Sequence, residues 1–99
     1  MSAFQRTSTP SLDDFQQLVG ETFEVESYGV DLVLVEASPI ASPSSPRARP
    51  FSLLFRGPLD GVLDQRTHRM SQATLGSLDV FLVPVERDER GVLYEAVFN

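Results

Sequence analysis

The sequence predicts a mainly β protein: a small antiparallel barrel or compact sandwich of about six strands with one short N-terminal helix. Three observations carry that prediction. Apolar residues recur at every second position in separate short runs, the period of a strand with one buried face. No helical run lies between those runs, so the crossovers that a parallel sheet requires are missing. The last run, Gly91 to Asn99, stays apolar to its end, where chains usually turn polar unless something ties them down. In it Val92, Tyr94, Ala96 and Phe98 share one face and Leu93 and Val97 the other.

Each element follows from local chemistry. Residues 1–10 are polar, read as a flexible arm and lack the apolar stretch of an export signal. Ser11 opens a helix as its N-cap, Asp14 stands where a capping-box acid belongs, and Asp13 and Asp14 suit the positive helix end. Leu12, Phe15 and Leu18 or Val19 form the apolar stripe, and Gly20 is a stop. Thr22 to Tyr28 reads as a strand with Phe23 and Val25 inward, Tyr28-Gly29 as a turn, and Val30 to Ala37 as the second arm of a hairpin. That arm is apolar on both faces, with Val30, Leu32 and Leu34 against Val33 and Val35. Residues 38–50, with four prolines and four serines, read as a surface loop that cannot join a central strand.

Phe51 to Arg56 resumes a strand with Phe51, Leu53 and Phe55 on one face, ended by Gly57-Pro58. A turn-rich connection around Asp60-Gly61 leads to a short strand at Thr67–Met70. Ser77 to Glu86 is a long strand, with Leu78, Val80 and Leu82 opposed to Phe81, Val83 and Val85; Pro84 places its end on an edge or a bulge. Residues 87–91 form a polar hairpin loop into the last strand. The organisation is an arm at 1–10 and one β domain at 11–99.

Composition narrows function. The net charge of −6, from 14 acids and eight arginines without lysine, opposes nonspecific nucleic-acid binding, which needs a basic surface. Cysteine is absent, which removes disulfides, thiolate metal sites and cysteine nucleophiles and suits the cytoplasm or a cytoplasmically assembled particle. No stretch has the roughly 18 consecutive apolar residues of a membrane helix.

At the motif level the chain resembles a family of small uncharacterised bacterial proteins. The matching features are Leu12-x-x-Phe15-x-x-Leu18-Val19-Gly20-Glu21-x-Phe23, the run from Pro50 to Pro58, Leu75-Gly76 with Phe81 to Val85, and Tyr94 to Asn99. Members carry Gln-Gly-x-Tyr before the Leu-Gly step, where this chain has Gln65-Arg66-Thr67-His68. The resemblance implies an accessory or structural role associated with phage-tail-like or tail-collar proteins. It brings no catalytic residues with it.

The residues themselves offer little chemistry. His68 is the only histidine, so a zinc site lacks ligands; a triad would have to join it to Ser52 or Ser71 and Asp60 or Asp64, without a nucleophile-elbow sequence. His68 is read instead as a surface or half-buried polar residue. Asp60 and Asp64 lack the ligand series of a calcium loop. Arg56 at a strand end suggests a cross-strand pair with Glu95 should their strands be neighbours. No catalytic, cofactor or metal site is expected. Arg47, Arg49, Arg56 and His68 are the candidate protein-contact residues, and the expected role is a non-enzymatic assembly module that meets another protein or its own copies. The alternative is a small-molecule binder or small hydrolase-like enzyme with a pocket near His68 and Arg56.

Overall fold

The computed structural model describes residues 10–41 and 50–98. Helix α1 spans Leu12–Gln16, followed by β1 (Thr22–Val25), β2 (Val30–Pro39), β3 (Phe51–Gly57), β4 (Arg66–Gln72), β5 (Gly76–Asp88) and β6 (Gly91–Phe98). All neighbouring strands are antiparallel, and the order β1-β2-β3-β6-β5-β4 closes on itself as a barrel. Of the two architectures the sequence allows, the barrel is the one that forms.

The alternation supplies the core. Phe23, Val25, Leu32, Leu34, Phe51, Leu53, Phe55, Met70, Val80, Leu82, Val92, Tyr94 and Ala96 all face inward and are buried. A barrel of this size is filled by its own side chains and leaves no channel.

Helix α1 closes one end. Both capping-box bonds form, Asp14 N donating to Ser11 Oγ at 3.2 Å and Ser11 N to Asp14 Oδ2 at 2.9 Å. The helix is shorter than the periodicity over 11–20 suggests. After Gln16 the chain tightens into turns and leaves at Gly20 (φ +95°), whose N–H donates to Leu34 O at 2.7 Å. Five residues of helix have little stability of their own, so packing holds them in place. Phe15 is fully buried, with ring centroids 6.4 Å from Phe23, 5.7 Å from Phe51 and 5.6 Å from Phe98. Phe98 is half-buried and stacks on Phe51 at 4.8 Å.

The segment between β3 and β4 closes the other end. Leu63 is buried and its N–H donates to the buried Tyr94 hydroxyl at 2.9 Å. At that end the backbones of β3 and β6 approach closely. A Cβ on Gly57 would sit 2.5 Å from Leu32 Cδ2, and Gly91 holds φ +135° with its α-carbon against the Gly57 carbonyl. A two-residue turn at Glu89-Arg90 joins β5 to β6, so the hairpin loop is tighter than 87–91.

Two expectations need correction. Ser38 and Pro39 do join β2, opposite Ser52 and Phe51. The next bond runs from Ile40 N to Pro50 O, so by antiparallel alternation the Pro39 nitrogen points away from β3 and no ladder bond is lost. The rest of the proline-rich loop, 42–49, and the arm at 1–9 lie outside the described residues. Second, Arg56 and Glu95 lie on adjacent strands but out of register: Arg56 opposes Leu93, and Glu95 opposes Leu54. Arg56 instead meets Asp88 at 3.5 Å. Of the edge or bulge expected at Pro84, a bulge is present, as a register shift between Pro84 and Glu86.

Phe15→Ala should cost about 3–5 kcal/mol, since the fully buried ring leaves a cavity shared by a helix and three strands. The urea midpoint reads it; a change below about 1 kcal/mol would make the helix peripheral. Gly57→Ala should cost about 1–3 kcal/mol by overpacking against Leu32, read in the same way.

Candidate functional site

The strongest candidate is a surface. It is built on β2, β3, β6 and β5, consecutive around the barrel. Their outward positions form rows across the four strands. Val33 opposes Arg56, Arg56 opposes Leu93, and Leu93 opposes Glu86. In the next row Glu36 opposes Leu54, Leu54 opposes Glu95, and Glu95 opposes Val83. Ser52 opposes Val97, and the same register continued sets Phe81 beside Val97. Leu54, Val83 and Leu93 are half-buried; Val33, Val35, Phe81, Val85 and Val97 are exposed, the last three at 50%, 50% and 49%.

Both bulges enlarge this apolar face. One shifts the register between Leu34 and Glu36, the other between Pro84 and Glu86. The extra residue is a valine each time, Val35 and Val85, and both are exposed. A bulge leaves its extra residue outside the ladder and re-aims the side chain. Here the two valines flank the face at its outer strands, β2 and β5.

The opposite side of the barrel is polar. Thr22 and Glu24 on β1, Thr67, Arg69 and Ser71 on β4, and Ser77 and Asp79 on β5 point outward. Arg69 pairs with Asp79 at 3.2 Å and Ser77 Oγ donates to Glu26 at 2.9 Å. The outer surface is therefore divided into an apolar half and a charged half.

The residues singled out from sequence are dispersed. Arg47 and Arg49 lie outside the described residues. Arg56 is on the apolar face, its side chain 24% exposed and held by Asp88. His68 is buried at 3% exposure, which corrects its reading as a surface or half-buried residue and as a contact residue. It shares the inward face of β4 with Met70 and Gln72. Its Nε2 lies 2.8 Å from the Asp64 carbonyl oxygen, which can only accept, so that nitrogen carries the proton. Its ring packs on Tyr28 at 5.7 Å between centroids. His68 thus ties β4 to the segment before it. Ser52 and Ser71 occupy outward positions on their strands, away from this ring, so no triad assembles.

The pocket anticipated near His68 and Arg56 also dissolves, since one side chain faces inward and the other outward on strands that are not neighbours. A cleft of about 340 Å³ lies at this end of the barrel, lined by Tyr28, Val30 and residues 61–64. It is at the small end of ligand pockets, and neither His68 nor Arg56 lines it. A second, of about 300 Å³, lies at the β1–β4 seam, lined by Thr22, Glu24, Ser71, Gln72 and Ala73. Gln72 is committed to structure there, its Oε1 accepting from Thr74 N at 2.7 Å and Leu75 N at 2.9 Å. Among the described residues no group of three or more His, Asp or Glu could hold a metal ion, and no helix is long and apolar enough to cross a membrane.

The plugged barrel, from buried Pro10 to Phe98, is also the unit that sequence comparison recognises: a family profile matches residues 10–98. The chain belongs to the family described as Domain of unknown function (DUF6916). No curated protein matches it, and no solved structure does. The family spans the helix, both end closures and all six strands, so the plug and the apolar face belong to one DUF6916 unit.

Sequence reasoning found the outward apolar positions but not their convergence. Val33, Phe81, Val85 and Val97 are far apart in the chain, and only the strand order brings them to one side. The available signal was the two-sided apolar content of β2, β5 and β6.

Tyr94→Phe should cost about 1–3 kcal/mol, because it leaves the buried Leu63 N–H without an acceptor. Hydrogen exchange at Leu63 should rise with it. An unchanged rate would separate the hydroxyl from the closure of this end.

Proposed function

We propose that the domain is a non-enzymatic structural or assembly module that works through protein–protein contacts made by the outer face of β2, β3, β6 and β5. The observation behind this reading is the apolar face itself. The barrel has a complete core and both ends are closed, so Val33, Val35, Phe81, Val85 and Val97 are not needed to bury anything inside. Contiguous exposed apolar surface rimmed by polar residues is the mark of an interaction site.

Membership of a phage-tail-like particle is supported by the motif resemblance, and an intracellular place of assembly by the absence of cysteine. The partner is another protein or a second copy. Phe81→Ser with Val85→Ser tests the face. Both side chains are half exposed, so folding should be preserved to within about 1 kcal/mol. Co-purification from the native host, quantified by mass spectrometry, should lose its principal partner, whose identity tests the particle assignment. An unchanged set of co-purifying proteins would refute the contact surface.

A further inference from the structure

We infer that the occupant of the apolar face is a basic protein surface, with an arginine or lysine at the centre of its contact, and not a second copy of this chain. The inference rests on the contact-surface reading above and adds the chemistry of the partner.

The argument begins with charge. The chain carries 14 acids against eight arginines, a net charge of −6. The face shares that sign. Glu36 and Glu86 are exposed within its rows, and Glu95 is half-buried at its middle, between Leu54 and Val83. Among the described residues Arg56 is the only arginine on these rows, and Asp88 already engages it at 3.5 Å.

Glu95 decides the partner. It has no ion pair or hydrogen bond among the described residues, and its neighbours across β3 and β5 are apolar. Water solvates it while the face is open. Any partner that covers Phe81, Val83, Val97 and Leu54 removes that water, and an uncompensated buried carboxylate opposes binding strongly. The partner must therefore bring a cation to Glu95. A second copy in a two-fold contact presents the same acidic patch, and the one arginine that the described rows carry, Arg56, is already held by Asp88, so that copy brings no free cation to Glu95 from these rows. A basic surface meets all three acids with opposite charge and still offers apolar contact.

Two measurements on the full chain test this. Sedimentation equilibrium at about 0.1 M salt, where charges still act over about 10 Å, should give a monomer up to millimolar concentration. Isothermal titration should then compare two synthetic probe peptides, one alternating leucine with arginine and one alternating leucine with glutamate. The arginine peptide should bind at least about tenfold tighter, and Glu95→Gln should weaken it by about tenfold. Glu36→Gln with Glu86→Gln should weaken it less, and Glu24→Gln on the polar half by less than about twofold. Should Glu95→Gln shift the urea midpoint, the Glu36/Glu86 double variant carries the comparison. A dimer at about 0.1 M salt would overturn the inference and leave the contact surface standing. Equal binding of the two peptides, or an equal loss from Glu24→Gln, would also overturn it. Binding of neither peptide, with host partners unmoved by Phe81→Ser/Val85→Ser, would remove the contact surface itself.

Discussion

The packing of Phe15 is the interaction on which the rest of the barrel depends. A closed barrel solves the edge problem of its strands but leaves two open ends. At the end where β1 and β3 begin and β6 finishes, Phe23, Phe51 and Phe98 approach the rim. Without a cover their rings would face water. The fully buried Phe15 ring touches all three, and Leu12 and Leu18 extend the cover. The helix is only long enough to deliver those side chains, and its capping box and the Gly20 exit fix where it starts and leaves. The far end is polar in its fastening: Tyr94 OH accepts from Leu63 N, and His68 holds the Asp64 carbonyl. A hydrophobic plug at one end and one buried and one part-buried hydrogen bond at the other make the interior self-sufficient.

That self-sufficiency gives the outer face its meaning. In an open sheet, apolar residues on a second face are needed to pack a helix layer. Among the described residues the one helix covers an end and the edge of β2, with Gln16 Nε2 donating to Ala37 O at 3.4 Å, and nothing there covers the second face. The bulges point the same way. An extra residue in a strand costs ladder bonds, and at both positions that residue is an exposed valine and not a polar one.

Much of this architecture was legible in the residues. Period-two spacing identified the inward faces of β1, β3, β5 and β6, and Ser11 with Asp14 located the helix start. Pro84 pointed to an edge or a bulge, and a bulge lies beside it. What escaped was whatever depends on strand order or on register. His68, a lone histidine without partners for a site, reads as a surface or half-buried polar residue, yet its parity with Met70 and Gln72 turns it inward, where its Nε2 meets the Asp64 carbonyl. The Arg56–Glu95 pair failed on register, since neighbouring strands alone do not oppose two chosen residues. Pro39 escaped because a missing N–H matters only when it points at a partner strand. The apolar face was invisible as a unit because β3 neighbours β6, a pairing across the intervening β4–β5 hairpin that no local pattern reveals.

The form of association also follows from these features. The pairing of β4 with β5 ends at Arg66 opposite Leu82, so one side of the β5 segment Val83–Asp88 has no strand beside it among the described residues. Such a segment would invite an added strand from another chain. Three features oppose that: Pro84 has no N–H to offer, the Val85 bulge breaks the regular spacing of donors, and Glu86, Arg87 and Asp88 bring charge to the edge. The bulge that spoils this edge is also the one that turns Val85 toward solvent beside Phe81 and Val83. A single backbone irregularity thus discourages indiscriminate strand addition and enlarges the face. On the proposed contact-surface reading, recognition falls to side chains, and the placement of Glu95 among apolar neighbours then sets which partner fits.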